Sequence, residues 1–227
     1  MKSRAAALVA LACLSLAGCS GDTARDPDPS ALTSIGKALM PAGLLGKGKA
    51  APPTLEAVAV QTLAQTDAAV MVVHNEAANT ALVTRQTDAR DARRVLLTAE
   101  KQSFELTDGL VTATRGTGGD LMSAETAAAA AAIKARRQGS YQRTWRILDN
   151  DLRERPVQAV CATAPGKAQD YTAVGRRFVG RQMVEVCQAG SFVIQNSYLV
   201  ERDGFISVSR QWLGPQLGYF SFQFLRR

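Results

Sequence analysis

The sequence predicts a mainly β fold: an antiparallel sheet of about ten strands, curled into a barrel or half-barrel, with one short alanine-rich helix. Apolar and polar residues alternate in several short runs, which is the pattern of half-buried strands. The clearest run is the last, where Phe220, Phe222 and Phe224 alternate with more polar neighbours. Asp-Gly pairs at 108–109 and 203–204 lie between such runs and predict tight hairpin turns.

Residues 1–18 have the composition of an export signal. Lys2 and Arg4 precede an apolar run that is too short to cross a bilayer as a permanent helix. The run ends in four residues that resemble the lipobox of bacterial lipoproteins: Leu16, Ala17, Gly18 and Cys19. The alternative is an ordinary cleavable signal with an incidental cysteine.

The lipobox resemblance has three implications for the mature protein. Cleavage occurs before Cys19, which becomes the N-terminal residue and carries a diacylglycerol and an N-acyl chain. We expect no cofactor besides this covalent lipid. Ser20 follows the cysteine, and by the same resemblance the protein is expected on the periplasmic face of the outer membrane, held by its lipid anchor.

The mature chain is expected to contain one folded domain behind a tether. Residues 19–53 read as a lipidated N-terminus and a flexible linker rich in small residues and proline, although 31–53 could also form a short amphipathic turn. Residues 54–227 are long enough for one β-rich periplasmic domain with its own core.

Strand patterns and one helix pattern fill this domain. The runs 67–73 and 80–84 flank a polar turn and predict a hairpin. The alanine run within 123–137 predicts the helix, and because alanine gives a helix little to bury, we expect it to lie on a surface or to close an opening. Further strands are predicted in the second half, three of them at 157–163, 170–178 and 181–188.

Cys161 and Cys187 are the cysteines that remain after Cys13 leaves with the signal and Cys19 is lipidated. In an oxidising compartment they predict one structural disulfide. In a plain meander of the three strands just named, the cysteine-bearing strands would lie about 9.5 Å apart. A disulfide needs Cα atoms about 4.4 to 6.8 Å apart. We therefore expect a less simple strand order, or a bridge at a bend or strand end.

The net charge of the chain restricts the classes of partner that it can be expected to bind. The formal charge is +7, and it falls to +5 when residues 1–18 leave, because they carry Lys2 and Arg4 and no acidic residue. In the periplasm this excess does not predict nucleic-acid binding. It is compatible with anionic polysaccharide, lipid head groups or an acidic protein, or with a solvated surface that has no partner.

Residues for catalysis or metal binding are sparse, and we expect neither an enzyme nor a metal site. His74, the one histidine, lies in a predicted turn and is expected to be exposed. The glycine-rich segment 115–120 lacks the spacing of a phosphate-binding loop. The carboxylates of Asp149, Asp151 and Glu154 cluster near a turn, where a solvated loop explains them equally well.

A series of short motifs resembles a known family. In order they are the lipobox, Asp108-Gly109-Leu110, Ala113 to Gly116, Asp120-Leu121-Met122, Tyr141, Cys161, Glu185-x-Cys187, Asn196-x-Tyr198 and Ser209 to Pro215. Together they resemble the group 4 capsule polysaccharide lipoprotein family, the YjbF/YmcC type. The resemblance covers nearly the whole domain, and its most specific parts are SRQWLGP at 209–215 and TRG with DLM at 114–122. The stretch 41–53 has no place in the family pattern.

The resemblance implies a non-enzymatic accessory factor in exopolysaccharide or capsule secretion. Its implied partners are an outer-membrane export barrel and periplasmic export proteins, and only Cys19 carries over as a functional position. The alternative is a lipid or lipoprotein carrier of the LolB kind, with an apolar cavity inside a curled sheet.

Four residues are candidates for contact with the polysaccharide or a partner: Arg115, Arg210, Trp212 and Tyr219. Aromatic rings pack on the apolar faces of sugars, and arginine pairs with acidic sugars. Trp212, together with Ile206 and Val208, is better explained as a core residue. If the polymer is bound directly by these arginines, Arg115→Ala and Arg210→Ala should weaken binding in a salt-dependent manner.

Overall fold

The protein is described by a computed structural model that covers residues 53–227. This part of the chain contains helix α1 (Leu55–Gln65) and helix α2 (Ala127–Lys134). It also contains twelve strands: β1 (Val70–Asn75), β2 (Thr80–Arg90), β3 (Arg93–Thr98), β4 (Ser103–Thr107), β5 (Leu110–Arg115), β6 (Leu121–Ala124), β7 (Gly139–Leu148), β8 (Glu154–Ala173), β9 (Arg176–Ala189), β10 (Phe192–Val200), β11 (Ile206–Gly214) and β12 (Gly218–Arg226).

The twelve strands form one antiparallel sheet in the order β5-β4-β3-β2-β1-β12-β11-β10-β9-β8-β7-β6. The first and last strands of the chain pair with each other, so the two ends of the sheet are β5 and β6. Side-chain hydrogen bonds join these two edges, and the sheet is a nearly closed barrel. The predicted fold class is confirmed, with twelve strands in place of about ten.

Both Asp-Gly turns lie where the sequence predicts them. Asp108 and Gly109 have φ angles of 52° and 85° between β4 and β5, so both adopt the left-handed region that a two-residue hairpin requires. A Cβ on Gly109 would lie 2.8 Å from the Cβ of Ile206, so glycine is needed for space as well. The β1–β2 hairpin is confirmed too.

The disulfide-bearing region differs from the prediction. One long strand, β8, spans the predicted strand 157–163 and the first four residues of 170–178, and the chain turns at Val174-Gly175. A shift in register between Pro165 and Ala168 lets the pairing continue past Pro165 and Gly166. Three predicted strands are therefore one hairpin, β8–β9, and the problem of distant cysteine strands disappears.

Side chains on the inner face of the sheet fill the barrel. Phe104, Phe220 and Phe222 pack with their ring centroids 5.7 to 6.3 Å apart, and Trp145 packs edge-on against Trp212 at 5.6 Å. A second cluster lies on the outer face, where α1 and the far end of the β8–β9 hairpin cover β1, β11 and β12. Apolar burial on both faces holds the barrel, α1 and the hairpin together.

The helices differ in part from the prediction. Helix α2 begins at Ala127, because Leu121–Ala124 form β6 and pair with β7. Its buried residues contact Leu110, Tyr198 and Ile206, so α2 packs on the barrel as a helix that closes an opening would. Helix α1 is an addition to the single predicted helix. It begins after Thr54, whose hydroxyl accepts a hydrogen bond from the backbone N–H of Ala57.

Candidate functional site

A cluster of polar side chains lies inside the barrel, with Glu185 of β9 at its centre. One carboxylate oxygen, Oε2, accepts hydrogen bonds from Arg143 Nη1 at 2.8 Å, Asn196 Nδ2 at 2.7 Å and the Tyr198 hydroxyl at 2.9 Å. The other, Oε1, accepts one from the Tyr141 hydroxyl at 2.9 Å. These side chains alternate along β7, β9 and β10 so that all of them point into the barrel.

Burial makes this cluster electrostatically strong. The side chains of Arg143 and Glu185 are 2% and 0% exposed. Burial lowers the pKa of the Arg143 guanidinium, but the charge of Glu185 and the neighbouring phenol groups raise it, and the net shift is upward. Burial first, and then the charge of Glu185, raise the pKa of Tyr198 and of Tyr141 above the usual value for a phenol.

The arrangement of these side chains indicates a structural role. Both phenols stay protonated and donate hydrogen bonds at neutral pH, and the Arg143 guanidinium stays charged. Glu185 is out of contact with solvent and both of its oxygens are occupied, so it is placed to hold β7, β9 and β10 in register. Removing one partner of such a buried pair costs about 3–5 kcal/mol, because the other charge is left buried alone.

The disulfide lies next to this cluster. Cys161 and Cys187 are bonded and sit directly opposite each other on β8 and β9. Together with Glu185 they place three possible metal-ligand atoms within 4.8 Å of one another. Both sulfurs are bonded to each other, and both Glu185 oxygens accept hydrogen bonds, so these residues do not fit a metal ion as they stand.

Arg210, a predicted contact residue, is held by an internal ion pair. Its guanidinium donates from Nε and Nη2 to the carboxylate of Glu76 at 2.9 to 3.0 Å, and from Nη1 to the carbonyl of Gln195 at 3.2 Å. It lies over the ring of Tyr219, 3.6 Å from the centroid. An acidic sugar would have to displace Glu76 to reach this arginine.

The structure brings Trp212 and Tyr219 together with Arg210 on neighbouring strands. Trp212 is directly opposite Tyr219 in the β11–β12 pair, and it is only 7% exposed because Trp145 and Phe192 pack against it. The Tyr219 hydroxyl accepts a hydrogen bond from the backbone N–H of Gln195 at 2.9 Å. Both rings therefore have internal contacts.

Arg115 lies apart from these three, at the seam between β5 and β6. Its Nη1 donates to the carbonyl of Leu121 at 3.1 Å, and the N–H of Leu121 donates to the hydroxyl of Thr114 at 3.0 Å. From inside the barrel, Gln211 accepts from the N–H of Val111 at 2.9 Å and donates to the carbonyl of Gly109 at 3.1 Å. Side chains thus satisfy the backbone groups that a strand edge leaves unpaired.

The glycine-rich segment 115–120 folds around one of its own carboxylates. Asp120 accepts hydrogen bonds from the N–H groups of Gly116 and Thr117 and from the hydroxyls of Thr117 and Thr114, at 2.6 to 3.2 Å. Partial burial raises the pKa of Asp120, but these hydrogen bonds outweigh it and hold the pKa below its usual value. The loop already contains its anion, and it connects β5 to β6.

His74 differs from the prediction, since it is 6% exposed and lies within β1, with Nε2 3.3 Å from the side-chain oxygen of Asn79. Asp149 closes the β7–β8 turn by accepting from the N–H groups of Asp151 and Arg153.

The lipobox prediction, residues 16–19, and the tether up to residue 52 lie outside the described residues. Within 53–227, neither helix is long and apolar enough to cross a membrane.

The fold and its interior define the class: a nearly closed, twelve-stranded antiparallel barrel whose interior is filled with side chains and held by an ion pair and a disulfide. A family model described as group 4 capsule polysaccharide lipoprotein gfcB, YjbF, matches residues 47–225. The chain belongs to this family.

A solved structure shares the fold. The crystal structure of the hypothetical lipoprotein YmcC from Escherichia coli (K12) is similar with a TM-score of 0.64 at 14% sequence identity, and the match covers 75% of this chain and 89% of that chain. No curated protein matches the sequence.

Proposed function

We propose that the protein is an outer-membrane lipoprotein, anchored through lipid on Cys19, that serves as a non-enzymatic accessory factor in exopolysaccharide or capsule assembly and secretion. It docks on an outer-membrane export barrel or a periplasmic export protein. The observation that carries the proposal is the family match, which extends over residues 47–225 and so over almost all of the folded domain. The lipobox-like residues 16–19 support the anchor.

The filled interior supports this role over that of a lipid carrier. Among the described residues, a cavity of about 70 Å³ lies beside Phe104 and Phe220 at one end of the barrel, whereas an apolar space of about 560 Å³ beside Val184 and Val186 is open to solvent. An engineered apolar cavity of roughly 150 Å³ holds a molecule as small as benzene. The cavity beside Phe104 and Phe220 is too small for an acyl chain, and the ring contacts around it would have to separate to admit one.

A strip of exposed apolar side chains on the outer face of β8 to β10 supports docking. Val160, Val186 and Val193 are 58%, 43% and 46% exposed. Exposed apolar patches of soluble domains mark contacts with proteins or membranes. A partner that covers this strip would bury side chains that water otherwise surrounds.

The test is to purify the full-length lipidated protein from membranes after crosslinking in cells. The proposal predicts co-purification with an export protein, and it predicts that Val160→Lys reduces this recovery. Val60→Lys is the matched control, because Val60 is 56% exposed on α1, away from the strip. Stoichiometric acyl chains bound without a protein partner would instead support the carrier and overturn the proposal.

A further inference from the structure

An open cleft of about 490 Å³ lies at the end of the barrel where α2 ends, and we call it the α2-end cleft. The turns after β2, β4 and β10 form its walls together with the last residue of the chain. Six charged side chains line it: Asp91, Arg94, Asp108, Lys134, Asp203 and Arg227. Its volume is in the range of small-molecule sites, about 300–1,000 Å³.

Internal contacts hold the walls of the α2-end cleft in place. Lys134 pairs with Asp108, and Arg227 pairs with Asp203. The turn at Gly109 is tied to β11, because Gln211 donates to the Gly109 carbonyl at 3.1 Å. A site whose walls are already fixed loses little conformational freedom when a ligand binds.

Two of the charged side chains retain binding capacity. Arg94 donates from Nη1 to the neutral amide oxygen of Gln86 at 3.0 Å, and within residues 53–227 it forms no ion pair. Its remaining N–H donors suit a carboxylate, which arginine binds with two parallel hydrogen bonds. Asp91 is an exposed carboxylate, opposite in charge to Arg94, and it can accept hydrogen bonds from hydroxyl groups.

An aromatic ring completes the α2-end cleft. Phe205 is half-buried in its wall. The guanidinium carbon of Arg227 lies 4.5 Å from the centroid of the Phe205 ring, and the Phe224 ring packs edge-on with its centroid 5.3 Å away. The accessible part of the ring offers an apolar contact for the C–H groups of a sugar.

We propose that the α2-end cleft binds an acidic sugar unit, a hexose ring that carries a carboxylate. Arg94 binds the carboxylate of the sugar, Asp91 accepts hydrogen bonds from its hydroxyl groups, and Phe205 contacts the sugar ring. This deepens the proposed function and rests on it, because it names the saccharide class and the place of contact. It differs from the sequence expectation at Arg115 and Arg210, because Arg210 is already paired with Glu76 and Arg115 lies at the β5–β6 seam, outside the cleft.

The experiment is a calorimetric titration of the full-length protein in detergent with a galacturonate oligomer. A galactose oligomer of equal length and sodium acetate are the matched probes. We expect the galacturonate oligomer to bind, and Arg94→Gln to weaken it about tenfold or more, the effect of losing one charge-assisted pair. Arg210→Gln tests the sequence-predicted position, and Arg177→Gln is the control, since Arg177 is an exposed cation outside the cleft.

Several results would overturn the proposal. These are no binding of the galacturonate oligomer, equal binding of the galactose oligomer, full competition by acetate, or an equal loss in Arg177→Gln or Arg210→Gln. A melting temperature equal to that of the parent shows that Arg94→Gln is folded. If deletion of the gene abolishes polymer secretion while the purified protein binds no oligomer, the cleft proposal fails and the proposed function stands.

Discussion

Replacement of Glu185 by glutamine tests whether the interior ion pair holds the barrel. Glutamine has nearly the same shape, but it removes the charge and leaves the Arg143 guanidinium, 2% exposed, without a counter-ion. It also turns an acceptor of four hydrogen bonds into a group with its own N–H donors, which face the donors of Asn196 and Tyr198. We expect a loss of about 3–5 kcal/mol in the free energy of unfolding. For a domain of this size that loss lowers the melting temperature by roughly 6–20 °C.

The assay is urea and thermal unfolding with the disulfide kept oxidised. The double variant Arg143→Met with Glu185→Leu should recover part of the loss, because it removes both charges together but leaves the donors of Tyr141, Asn196 and Tyr198 without an acceptor. Arg177→Gln is the control, since its ion pair with Asp170 is on the surface and should leave the melting temperature unchanged. A Glu185→Gln variant within about 1 kcal/mol of the parent would refute the reasoning.

Three further predictions concern the disulfide, the glycine-rich segment 115–120 and the seam between β5 and β6. Cys161→Ala with Cys187→Ala should lower the free energy of unfolding by about 3–4 kcal/mol, measured by urea denaturation, because a loop of 26 residues is no longer closed. Asp120→Asn should change the acid side of the stability curve: the pKa of Asp120 is lowered by folding, so its contribution is complete above about pH 4 and is lost as the pH falls through the folded pKa. An unfolding series from pH 2 to 7 in which the parent and variant curves run parallel would contradict this. Gln211→Ala should speed hydrogen exchange at the N–H of Val111, which loses its partner; unchanged exchange would show that the seam closes without Gln211.

The fold could be predicted because its signals are local. Alternation along β7, β10 and β12 identifies half-buried strands, and the Asp-Gly pairs fix two hairpins. Pro165 and Gly166 lie between the predicted strands 157–163 and 170–178, and such residues weaken a strand, whereas here a register shift accommodates them within β8. Helix α1 was missed although Leu55, Ala59 and Leu63 recur at helical spacing, which is a signal that the sequence does contain.

The cluster around Glu185 could be predicted from the sequence only in part. Arg143 falls in register with Tyr141 and Trp145 on the apolar face of β7, and a charged residue in that position predicts a buried partner. The sequence does not identify that partner, because Glu185 lies on β9 and the contact depends on the register across β8.

The contact residues show the same limit. From the sequence alone, Arg210 is a reasonable candidate to bind an acidic sugar. Glu76, which occupies it, lies 134 positions away in the sequence and approaches only because β1 pairs with β12. The pairing of the first strand with the last is a long-range feature that no local pattern encodes.

The most direct test of the account is the amount of surface and secreted polysaccharide in a strain that lacks the gene. The strain is complemented either with the native gene or with a Cys19→Ala variant carried by an ordinary signal peptide. The account predicts loss of polymer in the deletion strain, with recovery from the native gene alone. Unchanged polymer in the deletion strain, or full recovery with the unanchored variant, would contradict a role in secretion that depends on the lipid anchor.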